Sequence, residues 1–175
     1  RVDGQFAARL DTFENVPSGF AFTYRLSFSD NPEEDVQVRQ VWTALDAKDS
    51  AEGMTGFRRE ISFKGLRANE YARLRLAPAS DHVPAGGGWV RDNKNAGKSQ
   101  FHVEEPKEPD VALGNESQEP QLFLRGDAQG SARAVIAYRT ALPVDRYLPV
   151  DVVAKPRAST PLDVVPGYDA VEWPL

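Results

Sequence analysis

The stretch from residue 20 to 45, FAFTYRLSFSDNPEEDVQVRQVWTAL, alternates apolar and polar, breaks at an acidic turn, and alternates again. A strand sends successive side chains to opposite faces, so this pattern demands a sheet with one face buried. Phe20, Phe22, Tyr24, Leu26 and Phe28 share one face; Ala21, Thr23, Arg25 and Ser27 share the other. The segment SDNPEED interrupts with the residue types that favour turns. Val36, Val38 and Trp42 then return in phase, which predicts an antiparallel pair with an aromatic core side and places Trp42 in the core. The pattern repeats downstream. GFRREISFKGL sets Phe57, Ile61 and Phe63 against Arg58, Glu60 and Ser62. EYARLRLAP sets Ala72, Leu74 and Leu76 against Tyr71, Arg73 and Arg75. PQLFLRGDAQGSARAVIAYRTAL reads as a hairpin, and RYLPVDVVAKP as a short edge strand near Pro149.

No window sustains a capped helical period. Many short strands with frequent turn signals predict an all-β fold, an antiparallel β-sandwich of Ig-like or jelly-roll-like type. Residues 78–99 and 104–120 read as long loops, and 156–175, rich in Pro, as an extended linker to a following domain. The expected organisation is therefore a sandwich over 1–155 and a linker over 156–175. Its 175 residues are enough for one hydrophobic core. The opening RVDGQF and the closing VEWPL suggest a piece of a longer polypeptide.

Several function classes lose ground at once. A net charge of -5 argues against a nucleic-acid binder. No apolar run approaches the roughly 20 residues of a membrane-spanning helix. The absence of Cys removes disulfides, thiolate chemistry and covalent haem attachment from this segment. The two histidines, His82 and His102, lack metal-ligand spacing, no GxSxG elbow is present, and GGG is followed by no phosphate-binding GK[ST]. The reading is therefore a non-enzyme without a cofactor of its own. Asp30, Asn31, Glu33 and Asp35 in the acidic turn are weak cation candidates, because calcium takes six to eight oxygens, but the DxDxDG pattern is missing. RGD at 125–127 reads as a turn. NES at Asn115 is a glycosylation sequon that matters only in a eukaryotic secretory pathway. Trp89 stands in a Gly-rich segment beside Arg91, Asp92 and Asn93. An exposed indole stacks on the apolar side of a pyranose while polar neighbours bind hydroxyls, so these four are the ligand-binding candidates.

FAFTYRLSF, GFRREISFKGL and ARLRLAPA together resemble a β-rich domain of large multidomain proteins exported by environmental bacteria. VVPGYDAVEWPL is similar to the lead-in to a sorbosone-dehydrogenase-like propeller in such proteins, which often carry a c-type cytochrome segment elsewhere. The resemblance implies an accessory domain in an exported, periplasmic or extracellular redox protein, with neighbouring domains of the same chain as partners. A polysaccharide, bound through Trp89, is the alternative.

Overall fold

The computed structural model describes residues 7–28, 35–45, 54–68, 70–94, 99–115 and 117–141. All of them lie in the first of two units into which the chain divides, Arg1–Leu142 and Pro143–Leu175. The expected boundary at 155, the linker over 156–175 and the strand near Pro149 fall outside the described residues. Among the described residues eleven strands follow in order: β1 (Ala7–Val16), β2 (Gly19–Ser27), β3 (Val36–Ala44), β4 (Met54–Lys64), β5 (Tyr71–Arg75), β6 (His82–Gly86), β7 (Trp89–Asp92), β8 (Ser99–Glu105), β9 (Asp110–Ala112), β10 (Gln121–Arg125) and β11 (Ser131–Ala141). There is no helix among the described residues. Two antiparallel sheets pack as a β-sandwich. The large sheet has the order β1-β2-β3-β4-β11-β8-β7-β6, and the small one β5-β10-β9.

The core forms where the two sheets face each other. Val36 and Val38 of β3, Ile61 and Phe63 of β4, Ala134 and Ile136 of β11, and Phe101 of β8 meet Leu74 of β5 and Leu122 and Leu124 of β10. Burying each large aliphatic side chain stabilises the fold by roughly 1.5–3 kcal/mol relative to leaving it in water. Tyr24, Leu26 and Phe28 pack against this cluster, as their shared face predicts.

Three expectations are corrected. The segment 121–141 is not a hairpin: β10 belongs to the small sheet and β11 to the large one, so the turn at Asp127 carries the chain between sheets. That turn is held by Asp127 Oδ1, which accepts from the N–H groups of Gln129 and Ser131 at 2.8 and 2.9 Å. The segment 78–99 is not a plain loop, for it holds the β6–β7 hairpin. Gly86, Gly87 and Gly88, all at positive φ, make its turn, a backbone region that residues with a Cβ enter only at a cost. The loop in 104–120 is likewise shorter than expected, since the segment contains the end of β8 and all of β9.

Candidate functional site

A three-stranded sheet cannot cover an eight-stranded one. The apolar face of the large sheet therefore runs on past the core, across β1 to β4, as a row of aromatic rings. Phe13, Phe20, Trp42, Phe57 and Tyr138 come from five adjacent strands. Their centroids are separated in turn by 6.0, 6.4, 5.1 and 4.9 Å, with interplanar angles of 24°, 16°, 42° and 26°. A branch continues along β2 from Phe20 to Phe22 at 6.3 Å, and on to Tyr24 at 5.9 Å. Trp42, expected in the core, stands instead in the middle of this ladder, half-buried. Phe13 is 63% exposed, Phe20 41% and Phe57 39%, and Leu10 on the same face is 63% exposed.

The geometry decides what the ladder offers. Three of the four steps are nearly parallel and stacked, a favoured arrangement for aromatic pairs when offset, and the Trp42–Phe57 step is tilted. The stacked rings turn their faces to one another and their edges to water. Such a row presents a ridged apolar surface rather than a platform of open ring faces. Its base is held by polar contacts. The Arg59 guanidinium lies 5.2 Å from the Trp42 centroid, and its Nε donates to Gln40 Oε1 at 2.9 Å. Gln40 Nε2 donates in turn to the Tyr24 hydroxyl at 2.8 Å. Trp42 Nε1 is enclosed with no hydrogen-bond acceptor among the described residues, so ring packing outweighs polar satisfaction here. At the inner end, burial raises the Tyr138 phenol above its ordinary value, with nearby Arg59 opposing the shift. The folded chain then holds the phenolic proton at a pH where the unfolded chain has released it. Stability is complete below about pH 10, the ordinary tyrosine value, and falls as pH rises beyond it. Tyr138→Phe is expected to remove that part of the alkaline loss, read from denaturation midpoints between neutral and strongly alkaline pH.

The four sequence-derived ligand candidates lie elsewhere, and the structure does not gather them all. Trp89 and Arg91 project from β7 onto the opposite, polar face of the large sheet. Trp89 is half-buried there. The Arg139 guanidinium sits 3.8 Å from its ring centroid and is fixed by donating twice to Gln100 Oε1, at 3.0 and 2.7 Å. Its desolvation lowers the Arg139 pKa. His102 packs 5.4 Å from the indole, against Gly88, where an added Cβ would fall 2.6 Å from His102 Nε2. Asp92 points the other way, into the core side. It is buried, and its Oδ1 accepts from Ser80 Oγ at 2.6 Å and from the Lys94 N–H at 3.0 Å. Asn93 is exposed and donates through Nδ2 to Asp81 Oδ2 at 2.9 Å.

Ser80, His82 and Asp92 bring together the residue types of a nucleophilic triad, but not its order. A triad runs hydroxyl to imidazole to carboxylate. Here the hydroxyl donates directly to Asp92, and His82 Nδ1 lies 3.0 Å from the Ser80 carbonyl. The cluster ties down the base of the β6–β7 hairpin.

No family model, curated protein or solved structure matches the chain. The site must therefore be read from its own geometry. An open depression of about 410 Å³ is lined by His102, Val103, Glu104, Glu105 and Lys107. Its carboxylates are already engaged: Arg58 forks onto Glu104 at 2.8 and 3.0 Å, and Arg133 joins Glu105 to Glu60. Of the cation candidates, Asp30, Asn31 and Glu33 lie outside the described residues. Asp35 is described, and its Oδ1 is enclosed without a hydrogen-bond partner among them. No group of three or more metal-ligating side chains occurs among the described residues.

Period-two alternation places Phe20, Trp42 and Phe57 on apolar strand faces but does not join them into a site, and Phe13 carries no period-two signal. Strand periodicity assigns a side chain to a face. It does not say how far the covering sheet reaches.

Proposed function

We propose that this chain is a non-catalytic accessory β-sandwich that docks on neighbouring domains of an exported multidomain redox protein. The observation that carries this reading is the ladder from Phe13 to Tyr138, a contiguous apolar surface on a sheet face beyond the core. Surfaces of this kind mark interaction sites. The redox and export context rests on the resemblance of the strand motifs and of VVPGYDAVEWPL, and the segment needs no cofactor in this role. The test follows Trp42 as the sole tryptophan, with Trp89 and Trp173 replaced by Phe. Acrylamide should quench Trp42 less in the longer polypeptide than in the 175-residue chain. Equal quenching in both would sink the docking reading.

A second reading, a polysaccharide-binding module, keeps Trp89 as the stacking residue. It is favoured by a specific placement: the indole is only half-buried and lies beside the open depression, with the exposed cation Arg91 on the same face. Stacking needs a ring face; the Arg139 guanidinium takes one face of Trp89, so a pyranose would stack on the other. Fluorescence titration and affinity electrophoresis against plant and algal polysaccharides test it. Saturable binding lost in Trp89→Ala and retained in Phe20→Ala is the expected result. No binding to any of the panel would overturn it.

A further inference from the structure

The two sheets have four edges, and three of them are blunted. β6 is five residues long and carries Pro84; β5 has five residues and β9 only three. Short strands and proline protect an edge from pairing with another chain. The fourth edge, β1, runs for ten residues and pairs with β2 alone among the described strands. It also ends the aromatic ladder, with Leu10 and Phe13 both largely exposed on its apolar face.

We propose that β1 is a dimerisation edge, paired antiparallel with β1 of a second copy of this chain. The sequence of the strand is self-complementary in one register. A bulge between Leu10 and Thr12 sets Asp11 out of the ladder, where it is held by Arg25 at 2.7 Å. With Asp11 removed from the count, a two-fold axis through Thr12 sets Leu10 opposite Phe13 of the partner subunit on the apolar face. The same axis sets Arg9 opposite Glu14 of the partner subunit on the polar face. Each pair occurs twice, as an isologous interface requires. The Arg9 side chain is 81% exposed and, among the described residues, pairs with Asp11 at 4.0 Å, while Glu14, joined to Arg39, keeps about half its surface open. A shift of one residue would put Leu10 and Phe13 against polar side chains, so face matching disfavours it. Pairing would join the two large sheets and carry the ring ladder across the axis.

Sedimentation equilibrium of the 175-residue chain provides the test. The wild type should show a monomer–dimer equilibrium. Arg9→Glu places like charges opposite each other twice and should weaken dimerisation about tenfold or more. Leu10→Lys should do the same from the apolar face. Neither side chain is buried, so circular dichroism should be unchanged in both. A chain that stays monomeric up to roughly 1 mM overturns the proposal. So does a dimer indifferent to both substitutions, which would place the contact elsewhere. Neither outcome touches the docking reading, whose test follows shielding of Trp42 in the longer polypeptide.

Discussion

Leu122→Ala is expected to lower the unfolding free energy by about 2–5 kcal/mol. Leu122 is completely buried on β10, the middle strand of the small sheet, between Leu74 of β5 and Val111 of β9. Truncation removes the transfer energy of three carbons and leaves a cavity under the large sheet. Its neighbours are tied by strand hydrogen bonds on both sides and have little room to collapse into it. Domains of this kind have only about 5–15 kcal/mol in total, so the variant should unfold at markedly lower urea. Tyr71→Ala, on the outer side of the same sheet and 55% exposed, should cost about 1 kcal/mol or less. Urea denaturation followed by tryptophan fluorescence measures both. A Leu122→Ala midpoint close to the wild type would mean that the small sheet does not close the core.

Gly19→Ala should be nearly as damaging, for the opposite reason. An added Cβ at Gly19 would lie 1.8 Å from the Trp42 carbonyl oxygen and 2.9 Å from Thr43 Cα, both backbone atoms. No side chain can swing aside to make room, so β2 and β3 must part at their Gly19–Thr43 pair, beside the Phe20–Trp42 rung. Overpacking of this kind costs about 1–3 kcal/mol and occasionally more. The ladder should record it as a change in Trp42 emission in the folded state, measured with Trp89 and Trp173 replaced by Phe. A variant with wild-type stability and an unchanged spectrum would contradict the close approach of the two strands.

The strands with strict alternation were legible in the sequence. Residues 20–28, 36–44, 57–63 and 71–76 all place their side chains on the faces that period two assigns. β1 was not legible, and the bulge explains it. Leu10 and Phe13 share a face although they lie three positions apart, because Asp11 is set out of the ladder; no fixed period finds both. β8 was legible in principle, since Phe101 and Val103 alternate with Gln100 and His102, but it lies between two turn-rich segments that mask so short a signal. The hairpin reading of 121–141 failed for another reason. A turn's chemistry shows that the chain reverses, not that the reversal stays within one sheet. The same limit applied to the site. Phe20 and Trp42 were assigned to the right face, yet whether that face is core or surface depends on the width of the opposing sheet.

The seam between β4 and β11 has a temporal consequence. It binds the longest strands of the large sheet, and every residue pair along it lies more than sixty positions apart in the chain. The strands before it, β1 to β4, can zip up as local hairpins within microseconds, whereas a pairing of such range must wait for a large loop to close. During that wait the face of β2 and β3 that will later hold Val38 against the small sheet stands open together with the ladder. On a ribosome the delay lengthens, because β11 emerges only after the other ten strands have been made. Phe13, Phe20 and Trp42 are thus part of the apolar surface that the early hairpins show to their surroundings while Val38 and Ile61 still wait for Ile136.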